Sequence, residues 1–131
     1  MSDVITKPPV PTTELNPVQS IRVLRQVYPP KHMQTWILTN KELVIGREPG
    51  DGGIVLSGNE ASRSHARIKR GRHDRHHVSD LESRNGTFVD GARISECALE
   101  NGSVLRIGRA IFVYVACELP PGAVFPVLQD E

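Results

Sequence analysis

Apolar and polar positions alternate along most of this chain in short bursts, none of which keeps a helical repeat for three turns. The apolar-rich runs are IRVLRQVY (21–28), QTWILT (34–39), ELVIG (42–46), GIVL (53–56) and ARIKR (66–70). They continue as HHVSDL (76–81), TFVD (87–90), SVLRIG (103–108) and AIFVYVAC (110–117). Each is rich in Val, Ile or aromatic residues and is bounded by Gly, Pro, Asn or Asp, the pattern of strands between tight turns. In ARIKR, Ala66, Ile68 and Arg70 would share one face and Arg67 and Lys69 the other, which suits a strand with one wet side. Asp90-Gly91, between TFV and ARI, is a type I′ hairpin candidate because both residues tolerate positive φ. Gly108-Arg109 joins two apolar strands in a similar way, and Asn101-Gly102 precedes another. So many short strands predict an all-β fold, an antiparallel sandwich of two twisted sheets with loops carrying function at one end.

The ends break this pattern. Residues 1–19 hold Pro8, Pro9, Pro11 and Pro17 without apolar periodicity and are expected to be a disordered tail. The stretch 118–131 returns to Pro and Gly and reads as a linker leaving the domain, which places the domain itself at 20–117.

The 131 residues suffice for one domain with its own core, and the formal net charge of +1 argues against a nucleic-acid coat protein. No apolar run is long enough to cross a bilayer, and the first residues show no secretory signal. Cys97 and Cys117 stand alone in apolar surroundings, as free thiols of a reducing cytoplasm would. The expected location is therefore cytoplasmic, with no membrane partner.

Three segments hold polar chemistry at loop positions: Gly46-Arg47, Ser62-Arg63-Ser64-His65, and Ser83-Arg84-Asn85-Gly86-Thr87. Their order, with Gly108 near the last hairpin, resembles the forkhead-associated domain, a phosphothreonine-binding β-sandwich. The resemblance runs from about Ile21 to Cys117. It implies a phosphothreonine-dependent peptide- or protein-binding module that acts downstream of a Ser/Thr kinase, without catalysis or a cofactor. It is also compatible with the N-terminal regulatory domain of a larger signalling or transcription-regulatory protein.

The resemblance assigns Arg47, Ser62 and Arg63 to a phosphate clamp, and Asn85 to the backbone of the bound peptide. The chemistry fits these roles, because a phosphothreonine carries nearly two negative charges and strong acceptor oxygens. Arg47 offers a planar fork, Ser62 a short hydroxyl donor, Arg63 a second cation or its backbone N–H, and Asn85 both donor and acceptor. Arg84 stands where the family often has a small hydroxyl residue, and could add a further cation. His65 is expected to hold loop shape, as are Gly46, Gly86 and Thr87. In the family, the loop before Ser-x-x-His helps to read the residue three places after the phosphothreonine. Glu60 in that loop would disfavour an acidic residue there. Some bacterial relatives carry a threonine pair in a tail that the domain captures once it is phosphorylated, and Thr12 and Thr13 are candidates for such a pair.

Other chemistries compete for the same residues. Ser62 and His65 could suggest a nucleophile pair with Asp80 as the acid, but spacing alone does not set that geometry. His73, Asp74, His76 and His77 could suggest a metal site, yet adjacent His76 and His77 would point to opposite faces of a strand. Arg67, Lys69, Arg70, Arg72 and Arg75 lack the interleaved aromatic residues of a single-strand nucleic-acid platform. The alternative from another class is a phosphate-independent interaction sandwich used in assembly.

Overall fold

A computed structural model describes residues 19–119. All but the last residue of the predicted tail, the Thr12/Thr13 pair and nearly all of the predicted linker lie outside the described residues; Gln19 already belongs to the first strand and Glu118-Leu119 to the last.

The described residues form eleven strands. The first four are β1 (Gln19–Tyr28), β2 (Thr35–Leu38), β3 (Leu43–Gly46) and β4 (Ile54–Val55). Next come β5 (Ala66–Arg70), β6 (His76–Asp80), β7 (Thr87–Val89) and β8 (Ala92–Ile94). β9 (Glu96–Ala98), β10 (Val104–Ile107) and β11 (Ala110–Leu119) complete the series. They make a six-stranded sheet in the order β2-β1-β11-β10-β7-β8 and a five-stranded sheet in the order β4-β3-β5-β6-β9. Each strand pair with an assigned register is antiparallel, except β3 with β4, which is parallel.

The compact body spans Arg22–Ala116. Its core is the inward half of the alternation: Leu24, Ile45, Ile54, Ile68, Val78, Leu105, Ile107, Phe112 and Tyr114 are almost wholly buried. Register stacks them, with Leu43 opposite Ile68 and Ile68 opposite Val78 in one sheet, and Leu105 opposite both Val89 and Phe112 in the other. Trp36 packs obliquely on Phe112 at 6.1 Å between ring centroids. Truncating such a buried aliphatic residue to alanine costs about 2–5 kcal/mol, a large part of a small domain's stability.

The turns form as their residues dictate. Asp90 and Gly91 both have positive φ, 51° and 87°, and Val89 pairs with Ala92 across them. Ile107 pairs with Ala110 across Gly108-Arg109, and Gly108 takes φ 59°. β9 was not among the predicted strands: Glu-Cys-Ala is too short to show alternation, and pairing with β6 defines it.

His76 is buried and joins the two sheets. Its Nε2 donates to the Thr39 carbonyl at 3.1 Å, which leaves Nδ1 to accept from the Tyr114 hydroxyl at 3.1 Å. His77, one residue on, points the other way and is half-exposed. Burial pulls the His76 imidazole below its ordinary 6.5, reinforced by Arg70 and Arg22 and opposed by the Thr39 carbonyl. The unfolded chain therefore takes up this proton first, and stability falls as pH drops below about 6.5 toward the folded-state value. Thermal melts from pH 7 to pH 5 are expected to show a falling midpoint, with a shallower fall in His76→Gln. Equal slopes would show that His76 does not contribute.

Candidate functional site

The three motif segments meet at one rim. β3 delivers Gly46-Arg47 there, and the loop 57–65 is laid alongside by backbone bonds. Arg47 N donates to Ser62 O, Glu48 N to Arg63 O and His65 N to Ile45 O, each at 2.9 Å. Gly46 makes this approach possible, since a Cβ there would strike the Arg63 carbonyl and stand 2.8 Å from that of Ser62.

His65 is completely buried and ties two loops together. Its Nε2 donates to the Gly86 carbonyl at 2.8 Å, and its Nδ1 accepts from the Ser62 backbone N–H at 3.0 Å. Because both ring nitrogens are engaged by backbone, neither is left for the Ser62 hydroxyl. Asp80 does not orient this imidazole either. Its carboxylate accepts from the Ser83 hydroxyl at 2.5 Å, the Thr87 hydroxyl at 2.7 Å and the Ser83 N–H at 3.1 Å. Burial raises the Asp80 carboxyl, but these hydrogen bonds outweigh it and hold the group below the usual carboxylate range. Ser83 then accepts from Gly86 N at 2.9 Å, where Gly86 has φ 93°. Asp80 is thus the hub of the third loop, which the motif pattern did not single out. Its one sequence signal is an Asp three residues before a Ser, the spacing of a local side-chain-to-backbone turn.

A cleft of about 370 Å³ opens between these loops, lined by Arg47, residues 59–64, Leu81, Glu82 and Arg84. Arg47 donates through Nε to the Ala61 carbonyl at 3.2 Å. That bond orients the guanidinium and leaves both terminal NH₂ groups without a partner among the described residues. Ser62 Oγ accepts from Arg84 N at 3.1 Å, so its own hydrogen remains available to donate. Arg63 reaches sideways to Glu48 at 3.8 Å in an exposed pair, a contact weak enough to be exchanged for a stronger anion. The Arg84 side chain is exposed and lines the cleft. Asn85 does not line it. Its Nδ2 donates to the Glu60 carbonyl at 2.9 Å, pinning the two loops, while Oδ1 has no hydrogen-bond partner among the described residues. Thr87 is fully buried beneath them. Glu60 and Glu82 also line the cleft, so three arginines face two glutamates there.

Glu60 and Ala61 also border a second, larger cleft of about 720 Å³, which reaches Lys31, His32, Trp36, Val55 and Arg109. Gly108 sets the partition between the two clefts: a Cβ there would sit 3.0 Å from that of Glu60.

Comparison with known proteins agrees with this fold. The FHA domain family model matches residues 43–108. FhaB of Mycolicibacterium smegmatis, an FHA domain-containing protein, is 36% identical over 75 residues, covering 56% of this chain and 47% of the relative. The chain spans about half the length of the curated relatives it matches. A solved structure from work on phosphothreonine-dependent FHA domain interactions superposes with TM-score 0.64 at 27% identity, covering 72% of this chain and 95% of that one. Mycobacterium tuberculosis EmbR in complex with a low-affinity phosphopeptide gives TM-score 0.65 at 28% identity, over 82% of this chain and 26% of that one. A β-sandwich with Gly46-Arg47, Ser62 to His65 and Asn85-Gly86-Thr87 gathered at one rim, matched by the family model over half its length, places this chain in the forkhead-associated (FHA) domain family.

Proposed function

We propose that this chain binds phosphothreonine-containing protein segments generated by a Ser/Thr kinase, and so recruits the modified partner. The observation that carries the reading is the shared cleft of Arg47 and Ser62, where unpartnered guanidinium NH₂ groups and a free hydroxyl hydrogen converge. A phosphate dianion satisfies both at once, whereas an unphosphorylated hydroxyl satisfies neither fully. Arg63 would exchange Glu48 for the phosphate, and Arg84 would add charge from the far wall. Asn85 Oδ1 would accept from a peptide N–H beside the phosphothreonine. His65, Gly46, Gly86 and Thr87 serve by holding these donors in place.

FHA domains are known as binding modules, and we read this one as acting without catalysis. The engagement of both His65 nitrogens by backbone supports that reading. No helix of the described residues is long and apolar enough to cross a membrane. We place the activity in the cytoplasm, with which the free thiols of Cys97 and Cys117 are compatible.

Screening an oriented phosphothreonine peptide library tests the proposal and reveals sequence preference together. Selective retention of phosphorylated over unphosphorylated peptides is expected, and retention of both pools alike would refute it. Glu60, on the ridge between the clefts, is expected to disfavour a carboxylate three residues after the phosphothreonine. An array that ranks Asp or Glu first at that place would remove this role.

A further inference from the structure

On the outer face of the six-stranded sheet, three side chains stand in a row that the phosphate cleft does not use. Register sets Arg106 of β10 opposite Phe88 of β7, and Phe88 opposite Arg93 of β8. The flanking Thr87, Val89, Leu105 and Ile107 are buried, so strand alternation turns this row outward. Arg106 lies over the Phe88 ring, its Cζ 4.1 Å from the centroid. Arg93 lies against Gly86, where a Cβ would stand 2.6 Å from its Nε and 2.9 Å from its Cζ. Because Gly86 follows Asn85 directly, the row begins at the rim of the site.

Both guanidiniums are exposed, and neither has a carboxylate within ion-pair distance among the described residues. They differ in this from Lys69, Arg70 and Arg75, which pair with Glu42, Asp74 and Glu100. The aromatic ring and the glycine restrain the two cations, so less side-chain freedom is lost when they meet an anion.

We propose that Arg93 and Arg106, set on either side of Phe88, form an auxiliary anion patch for acidic side chains of the partner just N-terminal to its phosphothreonine. This rests on the phosphothreonine reading above. The direction follows from strand order. Glu60, read above as facing the residue three places after the phosphothreonine, borders the larger cleft, which adjoins the β1–β2 connection and the β10–β11 turn, whereas β8 is at the opposite edge of the sheet. An extended segment passing Asn85 toward that cleft sends its preceding residues toward Arg93. Carboxylates match the planar fork of each guanidinium.

Four peptides test this by fluorescence anisotropy with wild type and Arg93→Gln: an unphosphorylated peptide, and phosphothreonine peptides with neutral flanks, two N-terminal glutamates or two C-terminal glutamates. Wild type is expected to bind the N-terminally acidic phosphopeptide about three- to fivefold tighter than the neutral one, the scale of exposed charge pairs. In Arg93→Gln that ratio should fall toward one. Melting curves check that the variant remains folded, and Arg106→Gln supplies a second, independent variant. Equal affinity of wild type for neutral and N-terminally acidic phosphopeptides, or the same gain from C-terminal glutamates, overturns the patch and leaves the phosphate cleft standing. Loss of phosphate dependence across the whole set overturns both.

Discussion

Replacing Arg47 with alanine is expected to weaken binding of a phosphothreonine peptide by about thirty- to a hundredfold, with little change in melting temperature. The asymmetry follows from what Arg47 does in each state. In the free protein its side chain makes one partly buried bond, to the Ala61 carbonyl, while its backbone bond to Ser62 O survives truncation. In the complex its terminal NH₂ groups would carry a charge-assisted contact, of the kind worth about 2–3 kcal/mol when lost. Arg63 cannot replace it, since that side chain is highly exposed and any ion pair it makes is screened by solvent. The long-range field cannot replace it either, because the two glutamates in the cleft offset most of the charge of the three arginines. Binding must therefore depend on aimed donors more than on overall charge. Isothermal titration of wild type and variant checks this, and equal affinities would mean that the anion sits elsewhere.

His65→Ala is expected to cost about 3 kcal/mol of stability as well as binding. It empties a fully buried site and strands two backbone groups, the Ser62 N–H and the Gly86 carbonyl, each costing about 1–3 kcal/mol if left unsatisfied. For a domain of this size the melting temperature should fall by roughly 10–20 °C. Because the same two bonds set the spacing of the Ser62 and Asn85 loops, phosphopeptide affinity should fall as well. A variant that keeps wild-type stability would contradict the structural role of His65.

Much of the fold is legible in the sequence because strand alternation and turn chemistry are local. Val89 and Ala92 pair because Asp90-Gly91 accepts positive φ, and the inward residues of ARIKR are inward because burial follows the two-residue period. What is less legible depends on distant partners. Asp80 resembles any strand-end carboxylate until Ser83 and Thr87 are seen to donate to it. Glu82 and Leu81 enter the cleft only because the loops fold over one another. Asn85 shows the same limit: its identity suggests a peptide contact, but its bond to the Glu60 carbonyl, 25 residues away in sequence, becomes visible only in three dimensions. The larger cleft is walled by three separate parts of the chain, within residues 26–36, 53–61 and 107–110, and no local pattern announces such a surface.

The most direct measurement is a titration of the wild-type chain with one peptide in two forms that differ only by the phosphate on a threonine. Saturable binding of the phosphorylated form, with the unmodified form at least about a hundredfold weaker, is the result expected from donors that only a dianion can satisfy together. Comparable affinity for the two forms would contradict it.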